Sequence, residues 1–305
     1  MQDIAKVVAV WRSGGYFNRV MAGGSDLDRV KAFLRICAGE RASASADPAQ
    51  RPDYPCFPGL RHKPWHDARK FEAVGILESC FSAIREEAMH LGDEAEVDYS
   101  RATAPWRSWK RPWTLFRSAA RPRTWTVYLL HHMGVAIAEA ASRCPRTMAA
   151  IKLLPRACGD YAWSDCIFSA MAGGAHLRPH CSVDNLRVRI HLGISVPDGC
   201  SLRVGSETRA WEEGKCLVFE DSFEHEVWNR SESRRIVLIV DLWHPDLSDV
   251  EVRALTAGFR KSDIRRLFMR DRLAMTDAPG KYVNLIDSVL ESQDNDQVVR
   301  EFWPG

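Results

Sequence analysis

The sequence predicts a mainly β fold with flanking helices, a barrel or jelly roll, and three observations point to it. Residues 186–196 alternate strictly, with Leu186, Val188, Ile190 and Leu192 on one face. Arg187, Arg189 and His191 fall on the other face, as a side-chain period of two demands. Short apolar runs follow at 200–204, 215–219, 223–228 and 235–242, separated by Gly205-Ser206, Glu213-Gly214 and the polar stretch 229–233. Strands recurring about every 8–12 residues with such turns favour a barrel over a parallel α/β sheet.

The flanking elements read as helices. Ser25 can cap a helix running to Cys37, with Leu27, Val30, Leu34 and Cys37 on one side. Phe71, Val74, Leu77, Phe81 and Ile84 give residues 70–91 helical spacing, and 127–141 reads as another helix. Ser248 followed by Glu251 forms a capping box that opens a helix to Phe259. Residues 40–53 are polar, small and proline-containing, which marks a linker or surface loop. The expected organisation is an N-terminal helical segment and linker at 1–53, a main domain at 54–259 and an extension at 260–305 that packs on the barrel.

Composition excludes several function classes. The 305 residues carry a formal net charge of +2, with 46% apolar and 27% charged residues, ordinary for a globular protein. Nothing there calls for nucleic acid. The densest basic stretch, 101–123, interleaves arginines and Lys110 with Trp106, Trp109 and Trp113, and its prolines suggest a folded loop rather than a nucleic-acid platform. Nine cysteines, with no Cys-x-x-Cys pair, argue against a disulfide framework and against a structural zinc site. No window approaches the roughly 18 apolar residues of a membrane span, and residues 7–11 are too short for a signal segment. The expected location is a reducing cytoplasm.

The chemistry gathers around the 186–196 strand. Two arginines and a histidine on one face are costly to bury without anions, so this is either a solvated strand side or the lining of an anion-binding cavity. His180 precedes the strand, and His225 lies in a later one on the same face as Phe223 and Val227. A histidine on an apolar face is commonly a satisfied core residue. Two histidines from neighbouring strands, with coordination positions left open, also suit a non-haem Fe(II) oxygenase. The usual carboxylate ligand would stand at Ser182, a poor iron ligand, with Asp184 the nearest acid. Arg235, shortly after His225, stands where a fork could grip a distal carboxylate.

These residues resemble the aspartyl/asparaginyl β-hydroxylase family of Fe(II)- and 2-oxoglutarate-dependent oxygenases. The resemblance runs from about Phe57 to Leu247 and does not cover 1–50 or 260–305. It is carried by Pro58-Gly59-Leu60, Lys63-Pro64-Trp65-His66-Asp67, His180 with Asn185, and 186–193. Its most specific parts are 211–215, 221–228 and Val240-Asp241-Leu242-Trp243-His244-Pro245. It implies a double-stranded β-helix, cupin-like, with iron held by His180 and His225 and no protein carboxylate. Where the family usually has glycine, this chain has Ser182.

By the same resemblance, Ser169 and Arg235 hold the distal carboxylate of 2-oxoglutarate and Arg189 and His191 lie near its chelating end. Arg187 faces an acidic substrate side chain. The implied cofactors are Fe(II), 2-oxoglutarate and O2. The expected substrate is small, carrier-bound or peptidyl with an acidic or amide side chain. A lipid acyl-chain hydroxylase and a non-catalytic barrel that binds a small acid are the alternatives.

Overall fold

The computed structural model describes residues 2–42, 45, 47–91, 97–98, 124–159, 161–274, 289–290 and 292–304. The basic, tryptophan-containing stretch 101–123 lies outside the described residues.

Helices α1 (Gln2–Ser13), α2 (Tyr16–Met21) and α3 (Asp28–Cys37) open the chain. Strand β1 (Trp65–His66) and helices α4 (Glu72–Ser79) and α5 (Phe81–Met89) follow. Then come β2 (Val97–Asp98), β3 (Trp125–His132), β4 (Val135–Ala136), α6 (Ala138–Arg143) and α7 (Pro145–Lys152). The central strands are β5 (Asp165–Met171), β6 (His176–His180), β7 (Arg187–Ser195) and β8 (Cys200–Val204). After them run β9 (Glu207–Ala210), β10 (Cys216–Phe219), β11 (His225–Asn229) and β12 (Arg235–Trp243). Helices α8 (Asp249–Arg260), α9 (Ser262–Ala274) and a last helix, Gln297–Phe302, complete the described chain.

The strands form two antiparallel sheets. The larger has the order β1-β10-β7-β12-β5-β3-β2 with β4 on β3, and the smaller has the order β6-β11-β8-β9. Alternating the strands between two sheets makes the jelly roll that the strand spacing predicts, though the sheets do not close into a barrel. Leu202, Val204 and Val227 of the small sheet share one apolar core with Ile167, Val237 and Ile239 of the large one.

β7 shows why its pattern matters. Its apolar set, Val188, Ile190, Leu192 and Ile194, is wholly buried beside helices α4 and α5. Covering that face with helices sends Arg187, Arg189 and His191 to the inner side, toward the small sheet. The solvated-strand alternative is therefore ruled out.

Two expectations are corrected. Residues 127–141 are not a helix: they form β3, β4 and the start of α6. The run Trp125 to Tyr128 is β-branched and aromatic, and β3 pairs with β5 along its length. Met133 and Gly134, at φ 52° and 74°, then turn the chain in a two-residue hairpin whose flanking residues His132 and Val135 pair. The helix expected over 70–91 is two helices broken at Cys80.

A second core joins the two ends of the chain. Trp11 Nε1 donates to Gly258 O (2.7 Å), Tyr16 Oη to Ala254 O (2.7 Å) and Trp303 Nε1 to Ala257 O (2.8 Å). Gly258 has to be glycine, because a Cβ there would stand 2.5 Å from Tyr16 Oη. The N-terminal helices therefore dock on α8 and the last helix. All nine cysteines are free thiols. Among the described residues no helix is long and apolar enough to cross a membrane.

Candidate active site

His180 ends β6 and His225 begins β11, and the two residues pair directly across these antiparallel strands. Their ring centroids are 4.0 Å apart. Simple alternation from Leu177, which pairs with Val227, would aim His180 outward. A bulge prevents this: between those two pairs β6 carries one residue more than β11, around Arg178-Pro179. Bulges re-aim side chains in this way, and proline suits the unpaired position.

Each imidazole is oriented from behind. His180 Nδ1 lies 2.7 Å from Arg178 O and His225 Nδ1 lies 2.9 Å from Phe223 O. A carbonyl can only accept, so Nδ1 carries the proton in both rings and Nε2 keeps its lone pair. That is the arrangement of a metal-ligating histidine whose other nitrogen is tied to the backbone. Burial lowers both rings below the ordinary histidine pKa, and His225 is lowered further by the neighbouring His180.

Facing them on the large sheet are the polar side chains of β7, β12 and β5. His191 is buried with neither ring nitrogen hydrogen-bonded, set against Trp211 (centroids 6.0 Å) and edge-on to Phe219 (4.9 Å). Phe219 in turn lies 6.0 Å from His225. Burial, then Arg189, holds His191 far below its usual pKa. Arg235 is 3% exposed and among the described residues meets only Met171 Sδ (3.5 Å) and the Trp211 ring (4.9 Å), with Nε unbonded. Burial alone pushes it down to about 10. Ser169 pairs with Val237, two residues from Arg235 on the same face, and accepts a hydrogen bond from Trp125 Nε1 (2.9 Å).

The other two arginines are already engaged. Arg187 donates to Asp184 (3.2 Å), Asp241 (2.7 Å) and Ser182 Oγ (2.9 Å). Arg189 forks onto Asp241 (2.7 and 2.9 Å), with Nη1 3.1 Å from Asp221. Burial works against the charge on Arg189, yet Asp221 and Asp241 outweigh it and raise its pKa. Asp184 also accepts from Tyr161 and from Leu186 N, so it serves Arg187 rather than turning to the histidines.

The structure thus brings His180, His225, His191, Arg189, Ser169 and Arg235 to the inner faces, while Arg187 is closed into a carboxylate network. Sequence reasoning missed Asp241 and Asp221 as the acids that balance these arginines. Asp241 shares its period-two face with Arg235, which was the available signal.

A second cluster carries metal-ligand residue types: His62, Glu220 and His244 bring their nearest ligand atoms within 4.8 Å of one another. Its hydrogen bonds exclude a metal. Asn185 Oδ1 accepts from Phe57 N, which fixes the amide so that Nδ2 donates to His62 Nε2 (2.9 Å). Asp246 N donates to His244 Nδ1. The protons therefore sit on the nitrogens that face Glu220, where a metal would need lone pairs. Glu220, fully buried, accepts from His62 (2.7 Å), His66 (2.9 Å) and Lys63 N (3.0 Å). It is a hydrogen-bonded carboxylate hub.

On the inner faces of this jelly roll, two imidazoles present Nε2 atoms that, among the described residues, have no hydrogen-bond partner and no carboxylate beside them, and the buried Arg235 guanidinium has no anion. The sequence profile described as Aspartyl/Asparaginyl beta-hydroxylase matches residues 78–245, more than half of the chain. This chain belongs to that family.

Aspartyl/asparaginyl beta-hydroxylase of Mus musculus is 34% identical over 203 residues, 65% of this chain and 26% of that protein. Aspartate beta-hydroxylase domain-containing protein 1 of Homo sapiens is 33% identical over 256 residues, 82% and 58% of the two chains. Human aspartate beta-hydroxylase domain-containing protein 2 is 31% identical over 211 residues, 68% and 54% of the two chains. The chain thus spans between a quarter and three fifths of the length of these relatives. Solved structures overlap only in part: KdgF from Halomonas sp. aligns at a TM-score of 0.25 and 10% identity, covering 41% of this chain and 85% of that one, too slight a likeness to carry argument.

Proposed function

We propose that this chain is an Fe(II)- and 2-oxoglutarate-dependent hydroxylase that acts on the β-carbon of an Asp- or Asn-type group. The observation that carries the reading is the pairing of His180 with His225, each with Nδ1 spent on a carbonyl and Nε2 left for a metal. Among the described residues no carboxylate is turned to these histidines, which leaves room for a chelating ligand and oxygen on the metal.

The residues present fit the cosubstrate as well. A buried guanidinium with no anion beside it is unfavourable until one arrives, and Arg235 with Ser169 Oγ nearby suits the distal carboxylate of 2-oxoglutarate. His191 and Arg189 would flank its chelating end, with Asp241 and Asp221 holding the Arg189 fork in place. When bound, iron with 2-oxoglutarate and O2 supplies an oxidant able to take hydrogen from an unactivated C–H bond. The chain's own part is to orient that carbon and exclude water, with Phe219 and Trp211 lining the site.

Because Arg187 is already shared between Asp184 and Asp241, recognition of an acidic substrate would require it to exchange partners. The test is direct. Purified protein is incubated with Fe(II), 2-oxoglutarate and free, carrier-loaded or peptidyl Asp and Asn under air. Succinate release with a substrate mass gain of one oxygen is expected; neither appearing with any candidate would reject the reading.

A further inference from the structure

We propose that this protein carries a second ligand site, on the outer side of the large sheet, for a small organic anion with an apolar body. The site is a cavity of about 630 Å³ between the 61–73 segment, Pro155-Arg156 and the end of β12. None of the oxygenase-site residues lines it. Leu242, on its wall, is the β12 residue next to Asp241 and points to the opposite face of the sheet, away from Arg189. It also stands about 24 Å along the strand from Arg235 at the usual rise per residue.

Three features say what would fit. The first is size: this cavity has the volume of a site for a whole small molecule, well beyond a single inorganic ion. The second is the apolar lining, where Phe71, Ala73, Pro155, Leu242 and Pro245 offer a surface for a flat or branched carbon body. The third is the charge at the rim. Asp246 is spent on Arg61 and Asp67 on Arg69, while Arg156 is held by Asp249 and the carbonyl of Leu247. Among the described residues this leaves Lys63 without a carboxylate partner and Lys70 with only an electrostatic share of Asp67, which is bonded to Arg69, against one unpaired acid, Glu72.

The floor is rigid. His62, His66 and His244 all line the cavity, and all turn one nitrogen inward to the buried Glu220. His66 donates Nε2–H there, so its Nδ1, with no partner among the described residues, keeps a lone pair that can accept from a hydroxyl on the ligand. The anion itself is left to the lysines, since point-charge ammonium groups take either a phosphate or a carboxylate.

The probe is naphthyl phosphate, compared with naphthoate and uncharged naphthol by calorimetry on the intact chain. Saturable binding of naphthyl phosphate with Kd below about 1 mM is expected, with naphthol much weaker. The naphthoate arm decides between phosphate and carboxylate. Lys63→Ala with Lys70→Ala should weaken binding at least tenfold, and Glu72→Gln should tighten it. Saturating 2-oxoglutarate or Arg235→Met should leave it unchanged, which keeps this result separate from the oxygenase reading. Absence of saturation, indifference to the lysine changes, or competition by 2-oxoglutarate would each overturn the proposal.

Discussion

His180 and His225 face each other from neighbouring antiparallel strands with ring centroids 4.0 Å apart, and each ring donates Nδ1–H to the carbonyl two residues before it. Tying each ring to its own strand fixes both tautomers without help from any other side chain. On the proposed reading, a metal there would meet two prepared nitrogens rather than two rotors.

His225→Ala should therefore abolish metal binding while leaving the fold intact, since the lost ring is neutral and hydrogen-bonded only locally. Titration with Fe(II) or Co(II), followed by absorbance or calorimetry, measures this. Stoichiometric tight binding in the variant would remove His225 from the ligand set. Asp184→Ala makes the contrasting case. It should keep the metal yet lose about 3–5 kcal/mol of unfolding free energy, because it breaks a buried pair with Arg187.

Arg235 is expected to trade stability for binding. Its pKa is lower folded than unfolded, so the folded state disfavours the charge at every pH below about 10, and the cost is relieved only above that value. Arg235→Met should thus raise unfolding free energy of the ligand-free protein, on the order of 1–4 kcal/mol. The same change should raise the 2-oxoglutarate requirement by at least tenfold. Denaturant unfolding and a cosubstrate titration read the two halves separately. A variant both less stable and undiminished in cosubstrate use would contradict the orphaned-cation account.

How much of this was legible in the sequence depends on how each residue signals. Strands β7, β8 and β10 to β12 could be read because alternation and glycine or asparagine turns bracket them. β6 could not: His176-Leu177-Arg178-Pro179-His180 is polar, contains proline and bulges, so no period survives. β3 was read as helix because Leu129, Leu130 and the alanines after Val135 mimic helical spacing, whereas pairing with β5 decides the matter. Asp241 could be placed on the face of Arg235, but its partners Arg187 and Arg189 come from another strand and leave no mark in spacing.

Glu220 should control acid stability. Burial works against its charge, but the His244 ring 3.4 Å away and hydrogen bonds from His62 and His66 prevail and hold its pKa far below the carboxylate range. A depressed folded pKa contributes stability that is complete above the unfolded value, about 4.3, and is lost as the pH falls toward the folded one. Glu220→Gln should cost about 2–4 kcal/mol at neutral pH, the loss of charge-assisted bonds to a buried acceptor. The gap between variant and parent should narrow once the pH drops below about 4.3. Unfolding curves at several pH values measure it, and a gap that widens in acid would contradict the sign.

The junction of the two chain ends makes the last test. Gly258 lies on α8 under Tyr16, whose hydroxyl reaches Ala254 O at 2.7 Å, so a methyl group has nowhere to go. On an exposed helix Gly→Ala would stabilise by about 1 kcal/mol. Here overpacking should reverse the sign and cost about 1–3 kcal/mol, by pushing the Tyr16 ring off α8. Since Trp303 and Trp11 donate to the neighbouring carbonyls, the displacement should loosen both ends together. Hydrogen exchange should then show faster opening of α1, α2 and Gln297–Phe302 with β7 and β12 unchanged. Exchange confined to one terminus, or a stabilised variant, would show that the two ends do not form one core.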